Sequence, residues 1–123
     1  MIPQYWLDFV QANQIVRRSF HLTEENDESG VGADLTILTP EDSVDEATKY
    51  WPGIGVAPDG FVPVASCDVG SGNWFYINSN DGINGPLYCI YHDSVSERGY
   101  EPSDAIAVVL QNYEQLLSNS AKI

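Results

Sequence analysis

Hydrophobic and polar positions along this chain repeat with two different periods, and the switches between them mark its elements. Residues 3–18 read as a helix. Pro3 suits a first helical position, where a missing N–H costs nothing. Trp6, Phe9, Val10 and Asn13 follow at helical spacing, with Tyr5, Ala12 and Val16 on a neighbouring stripe. Residues 23–34 are acidic, polar and glycine-containing, a loop pattern. Leu35-Thr36-Ile37-Leu38 alternates and is β-branched, which predicts a short strand. Thr39-Pro40-Glu41-Asp42 predicts a helix start: a capping hydroxyl, proline in the first turn, then two acids at the positive end of the dipole. Val44, Ala47 and Tyr50/Trp51 continue that helix, and Pro52-Gly53 ends it.

The period then shortens to two. Residues 61–67, 73–78 and 87–92 read as three strands, with Pro63 favouring an edge or an irregular start in the first. Asp68-Val69-Gly70-Ser71-Gly72 and residues 79–86 are the turns between them, and links so short predict an antiparallel meander. Residues 103–118 return to a helical pattern. Ile106, Val109, Leu110, Tyr113, Leu116 and Leu117 form one apolar face, and Ser103 is placed to cap it. The order helix, strand, helix, three-strand meander, helix predicts an α+β fold: a twisted antiparallel sheet with helices packed around it, in a single domain over residues 1–123.

Charge changes this picture most. The chain has 18 Asp and Glu against 5 Lys and Arg, a net charge of −13. Between Ser19 and Glu97 the only basic side chain is Lys49. Such a field draws in a basic partner and repels nucleic acid, which is bound by displacing counterions with Lys and Arg. No apolar run approaches the ~20 residues of a membrane helix. The first residues lack the basic and apolar regions of a secretory signal, so a cytoplasmic location is expected.

Motifs for chemistry fall short. Asn78-Ser79-Asn80-Asp81-Gly82 resembles a calcium loop, but with Gly82 sixth the first position is Ile77 and the twelfth is Tyr88, neither a usable ligand. A weak cation contact at Asp81 is the most this loop offers. Val69-Gly70-Ser71-Gly72-Asn73 lacks the lysine and the following helix of a phosphate cradle. Cys67, Cys89, His21 and His92 have no zinc spacing. The two cysteines read as reduced, buried thiols. His92 and Asp93 at a strand end would point to opposite faces, which argues against a Cys–His–Asp nucleophile. No catalytic residue, metal or cofactor is expected. A small-ligand protein would betray itself by a deep pocket with convergent polar groups.

Gly60-Phe61-Val62-Pro63-Val64-Ala65, Asp68, Gly70-Ser71-Gly72-Asn73-Trp74-Phe75-Tyr76-Ile77 and Gly85-Pro86-Leu87-Tyr88-Cys89-Ile90-Tyr91-His92-Asp93 together resemble the core of the SUKH superfamily, the Smi/Knr-like proteins. The opening Ile2-Pro3-Gln4-Tyr5-Trp6-Leu7-Asp8-Phe9 resembles that family's first helix. Members often carry Gly-Asp at the turn, where this chain has Gly72-Asn73. The resemblance implies an α+β fold. It also implies an immunity protein that binds and silences a polymorphic toxin, often a nuclease or deaminase, or else a regulatory scaffold with another partner. A nuclease needs a basic surface, which an acidic inhibitor can occupy. The expected contacts are Asp42, Asp45, Glu46, Asp68, Asp81 and Asp93, with Trp74 and Tyr76 as aromatic anchors.

Overall fold

The computed structural model describes residues 1–119 and 121–122, with side chains through residue 118. The architecture is α+β. Strands β1 (Ser19–Leu22), β2 (Ala33–Ile37), β3 (Phe61–Cys67), β4 (Phe75–Asn78), β5 (Leu87–Ile90), β6 (Ile106–Leu110) and β7 (Ala121–Lys122) form one sheet in the order β6-β5-β4-β3-β2-β1-β7. Every pairing is antiparallel. Around it lie α1 (Gln4–Ala12), α2 (Pro40–Lys49), α3 (Gly53–Val56), α4 (Pro102–Ala105) and α5 (Gln115–Asn119).

The first six strands follow chain order, and the sheet curls. The β1–β2 connection crosses to the far edge, where the Glu28 N–H donates to the Val109 carbonyl of β6 at 2.8 Å. An edge strand's unpaired carbonyl thus finds a donor, and one open edge of the sheet is covered.

Alternation along each strand sends side chains to two faces. Phe20, Leu22, Leu35, Ile37, Phe75, Ile77, Leu87 and Val109 fill the inner core with Trp6 and Val10 of α1. Tyr113, 2% exposed, joins helix to sheet: its ring meets Trp6 edge-on at 5.2 Å and Phe9 at 4.8 Å. The outer face carries a smaller core of Val56, Tyr76, Ile90, Val95 and Ala105. Helices α2 and α3 pack on this side through small residues. Ser43 and Ala47 are the buried positions of α2, and a Cβ on Gly53 would collide with the Glu46 carbonyl.

Three expectations hold locally. Thr39 caps α2, its hydroxyl accepting the Asp42 N–H at 3.1 Å. Strand β3 covers the expected residues, and the sheet register shifts between Pro63 and Ala65. The proline is accommodated by this bulge in a central strand, not at an edge. The central meander forms as expected, with β4 and β5 shorter than their apolar runs.

Two expectations fail. The helix over 3–18 stops at Ala12, and after a turn with positive φ at Gln14 and Arg17 the chain enters β1. The helix over 103–118 does not form as one element. Only Pro102–Ala105 and Gln115–Asn119 are helical, and Ile106–Leu110 is strand β6, paired with β5. A continuous apolar run satisfies both periods, and here an unpaired edge of β5 decides between them. The helical frame breaks again where the Tyr113 N–H donates to the Gly85 carbonyl at 2.9 Å. Beside it, Asn84 clasps the chain, accepting the Glu114 N–H at 3.0 Å. Ser103 therefore caps nothing; Glu101 is the residue preceding α4.

Candidate partner-docking site

On the outer face, the C-terminal end of α2 meets the β3–β4 turn and the segment after β5. Between them is a shallow recess lined by Glu46, Tyr50, Trp51, Pro52, Gly72, Trp74, Tyr76 and His92. The local reasons are readable. Tyr50 leaves the helix in extended conformation, so it and Trp51 turn outward, 54% and 45% exposed. Trp51 lies across Gly55: a Cβ there would stand 2.5 Å from its ring. Gly72 adopts φ +79°, and a Cβ on it would press on the His92 imidazole at 3.1 Å. The glycine thus lets the turn lie flat against the ring.

His92 is held from two sides. Asn73 Oδ1 accepts from its backbone N–H at 3.0 Å and from Nδ1 at 2.7 Å, while Nε2 stands 3.0 Å from Asp93 Oδ1. This corrects the expectation that His92 and Asp93 point apart. Residues 92–94 form a tight helical turn, not a strand end, so adjacent side chains lie on one side. No cysteine joins them: Cys89 faces the inner core, and burial, then Cys67, then Asp27 push its thiol up to about 12. A thiol so held is a poor nucleophile.

Of the acids of α2, Glu46 lines the recess. Burial first, then the charges of Asp42 and Asp45, hold the Glu46 carboxyl above the usual carboxylate range. Lys49 pairs with Asp45 at 3.1 Å across one helical turn. So Glu46, Trp74 and His92 line one recess, with Asp93 against His92 and with Asp42 and Asp45 acting on Glu46 from the same helix.

The remaining expected contacts separate from it. Tyr76 is fully buried in the outer core and only backs the floor of the recess, so it is not the exposed aromatic that was expected. Its strand alternation turns it under α2 and α3, where burial and then the Glu46 charge raise its hydroxyl above the ordinary value. Asp68 is exposed, but its carboxylate accepts from Thr36 Oγ1 at 2.8 and 2.9 Å, and Thr36 accepts in turn from Ser19 at 2.7 Å. Asp81 lies at the other end of the sheet, in the β4–β5 connection. There it accepts from the Tyr88 hydroxyl at 2.7 Å, and burial followed by that bond pushes Tyr88 up to about 12. Asn78 accepts from the Asn80 N–H at 2.9 Å, so this loop is an Asn-headed turn. Among the described residues no group of three or more His, Cys, Asp or Glu is placed to hold a metal. Both cysteines are free and half-buried, more open than expected.

Sequence reasoning missed Tyr50 and Trp51 as surface residues. The available signal was their position: adjacent aromatics before a Pro-Gly stop, where the helical stripe no longer governs direction. Among the described residues no helix is long and apolar enough to cross a membrane. Comparison of the chain with protein-family models, with curated proteins and with solved structures found no match.

Proposed function

We propose that this chain is a protein-binding module that docks a basic protein partner on the outer-face recess. The observation that carries this reading is the placement of two exposed aromatics, Tyr50 and Trp51, in one recess with the Glu46 carboxylate, on which Asp42 and Asp45 of the same helix also act. Trp and Tyr dominate binding energy at interfaces, and carboxylates around them set approach rate and register. The acidic cluster works against the fold, since each carboxylate raises the cost of ionising Glu46. Surfaces kept against stability are commonly functional.

The partner class we favour is a cytoplasmic toxin with a nucleic-acid-binding surface, a nuclease or deaminase, which the chain would silence by occupying that surface. Its support is the likeness of residues 60–93 to the SUKH core and the net charge of −13. The test is capture from the native host by photo-crosslinking at Tyr50, with wild type and an Asp42→Asn/Asp45→Asn/Glu46→Gln variant in parallel. A basic nucleic-acid enzyme recovered by wild type and lost by the variant supports the proposal. A partner of neutral or acidic surface, or equal recovery by both proteins, sinks it; a basic partner that is no toxin replaces inhibition with a scaffolding role.

A further inference from the structure

A second concavity lies on the inner face, at the open end of the curled sheet, with a volume of about 500 Å³. Buried Leu22, Phe75 and Val109 back its floor, exposed Val31 and Val69 edge its mouth, and the β1–β2 connection passes over it to reach β6. Small-molecule sites run from ~300 to ~1,000 Å³ and favour concave, largely apolar walls with a few polar groups. The connection brings Asp27 to this cavity. Asp27 is 3% exposed; its Oδ1 accepts the Ser29 N–H and hydroxyl at 2.7 Å each, and its buried Oδ2 has no hydrogen-bond partner. A buried acceptor without a donor costs free energy, and the two Ser29 bonds fix the other oxygen in place.

We propose that this cavity binds a small organic monocation, an amine on an apolar body, whose ammonium meets Asp27 Oδ2 while its carbon frame lies against Leu22, Phe75 and Val109. An ionised carboxylate only accepts, so the group it lacks is a donor. A buried cation needs an opposite charge: Asp27 supplies it, while of the other two lining acids Asp34 is held by His21 at 2.6 Å and Glu24 is exposed to solvent. No Lys or Arg is among the described lining residues, so an anion would find no counter-charge there, and the net field concentrates cations. Binding is non-covalent. Cys67 and Cys89 sit on strands separated by β4, about 9.6 Å apart at the usual strand spacing, too far to pair.

Calorimetry and methyl NMR with 2-phenylethylamine and its neutral counterpart 2-phenylethanol test this. The expected result is an amine at least about tenfold tighter than the alcohol, shifts centred on the Leu22 and Val109 methyls, and loss of that advantage in Asp27→Asn. The Glu46→Gln variant should bind the amine as wild type does, which separates this site from the docking recess. Equal binding of amine and alcohol, absence of amine binding, shifts confined to surface methyls, or undiminished amine affinity in a folded Asp27→Asn protein would each overturn the proposal. The NMR reading on wild type stands even where that variant fails to fold.

Discussion

The two concavities of this molecule use carboxylates in opposite ways. On the outer face, Glu46 lines a recess with the exposed Tyr50 and Trp51, and Asp42 and Asp45 lie near enough along α2 to act on its charge. On the inner face, Asp27 stands at an apolar cavity with one oxygen satisfied by Ser29 and the other by nothing. Clustered charge in water acts at a distance: it steers, it is screened by salt, and no single member matters much. A desolvated carboxylate such as Asp27 acts at contact and selects for a complementary donor, even with the solvated Glu24 and the His21-paired Asp34 nearby. The same residue type therefore marks a broad surface in one place and a narrow site in the other.

The largest expected effect breaks the outer region alone. Gly53→Ala drives a methyl into the Glu46 backbone, so α3 must move off α2 and the recess loses its floor. A loss of about 3 kcal/mol is expected, read as a fall in the urea midpoint. Next is Trp51→Ala, which should weaken the captured partner about 30-fold, or about 2 kcal/mol, while amine binding at Asp27 is unchanged. Titration calorimetry with both ligands checks this; coupled losses would mean that the two regions are not independent.

The smallest effect sharpens the contrast. The Glu46 carboxyl is raised in the folded protein. Its contribution is therefore most favourable below the unfolded carboxylate value, ~4.3, and is lost as pH rises through the folded value. Glu46→Gln should raise the melting temperature by about 1–2 °C near neutral pH, and the gain should vanish below about pH 4. A gain that grew in acid would have the wrong sign.

Legibility in the sequence followed how local each signal was. The α2 cap was readable because Thr39, Pro40, Glu41 and Asp42 act on their own backbone. The central meander was readable because its turns are short. β6 was not, because Ile106–Leu110 fits a helix face as well as a strand, and only the waiting edge of β5 chooses. β1 was missed for the same reason in miniature: four residues are too few to establish a period against the helix before them. At the outer-face recess, Glu46 and Trp74 were legible by residue type and place in the chain. Tyr76 was misjudged because strand alternation tells which residues share a face, but not which face a helix will cover. Asp27 gave no signal at all, since a loop acid becomes unusual only when folding strips it of water.

The most direct measurement is the association rate of the captured partner between about 0.05 M and about 0.5 M salt. For wild type the rate should fall at least about tenfold across that range, and the Asp42→Asn/Asp45→Asn/Glu46→Gln variant should start slower and fall far less. A rate indifferent to salt, or a variant that tracks wild type at every concentration, would contradict docking through this acidic rim.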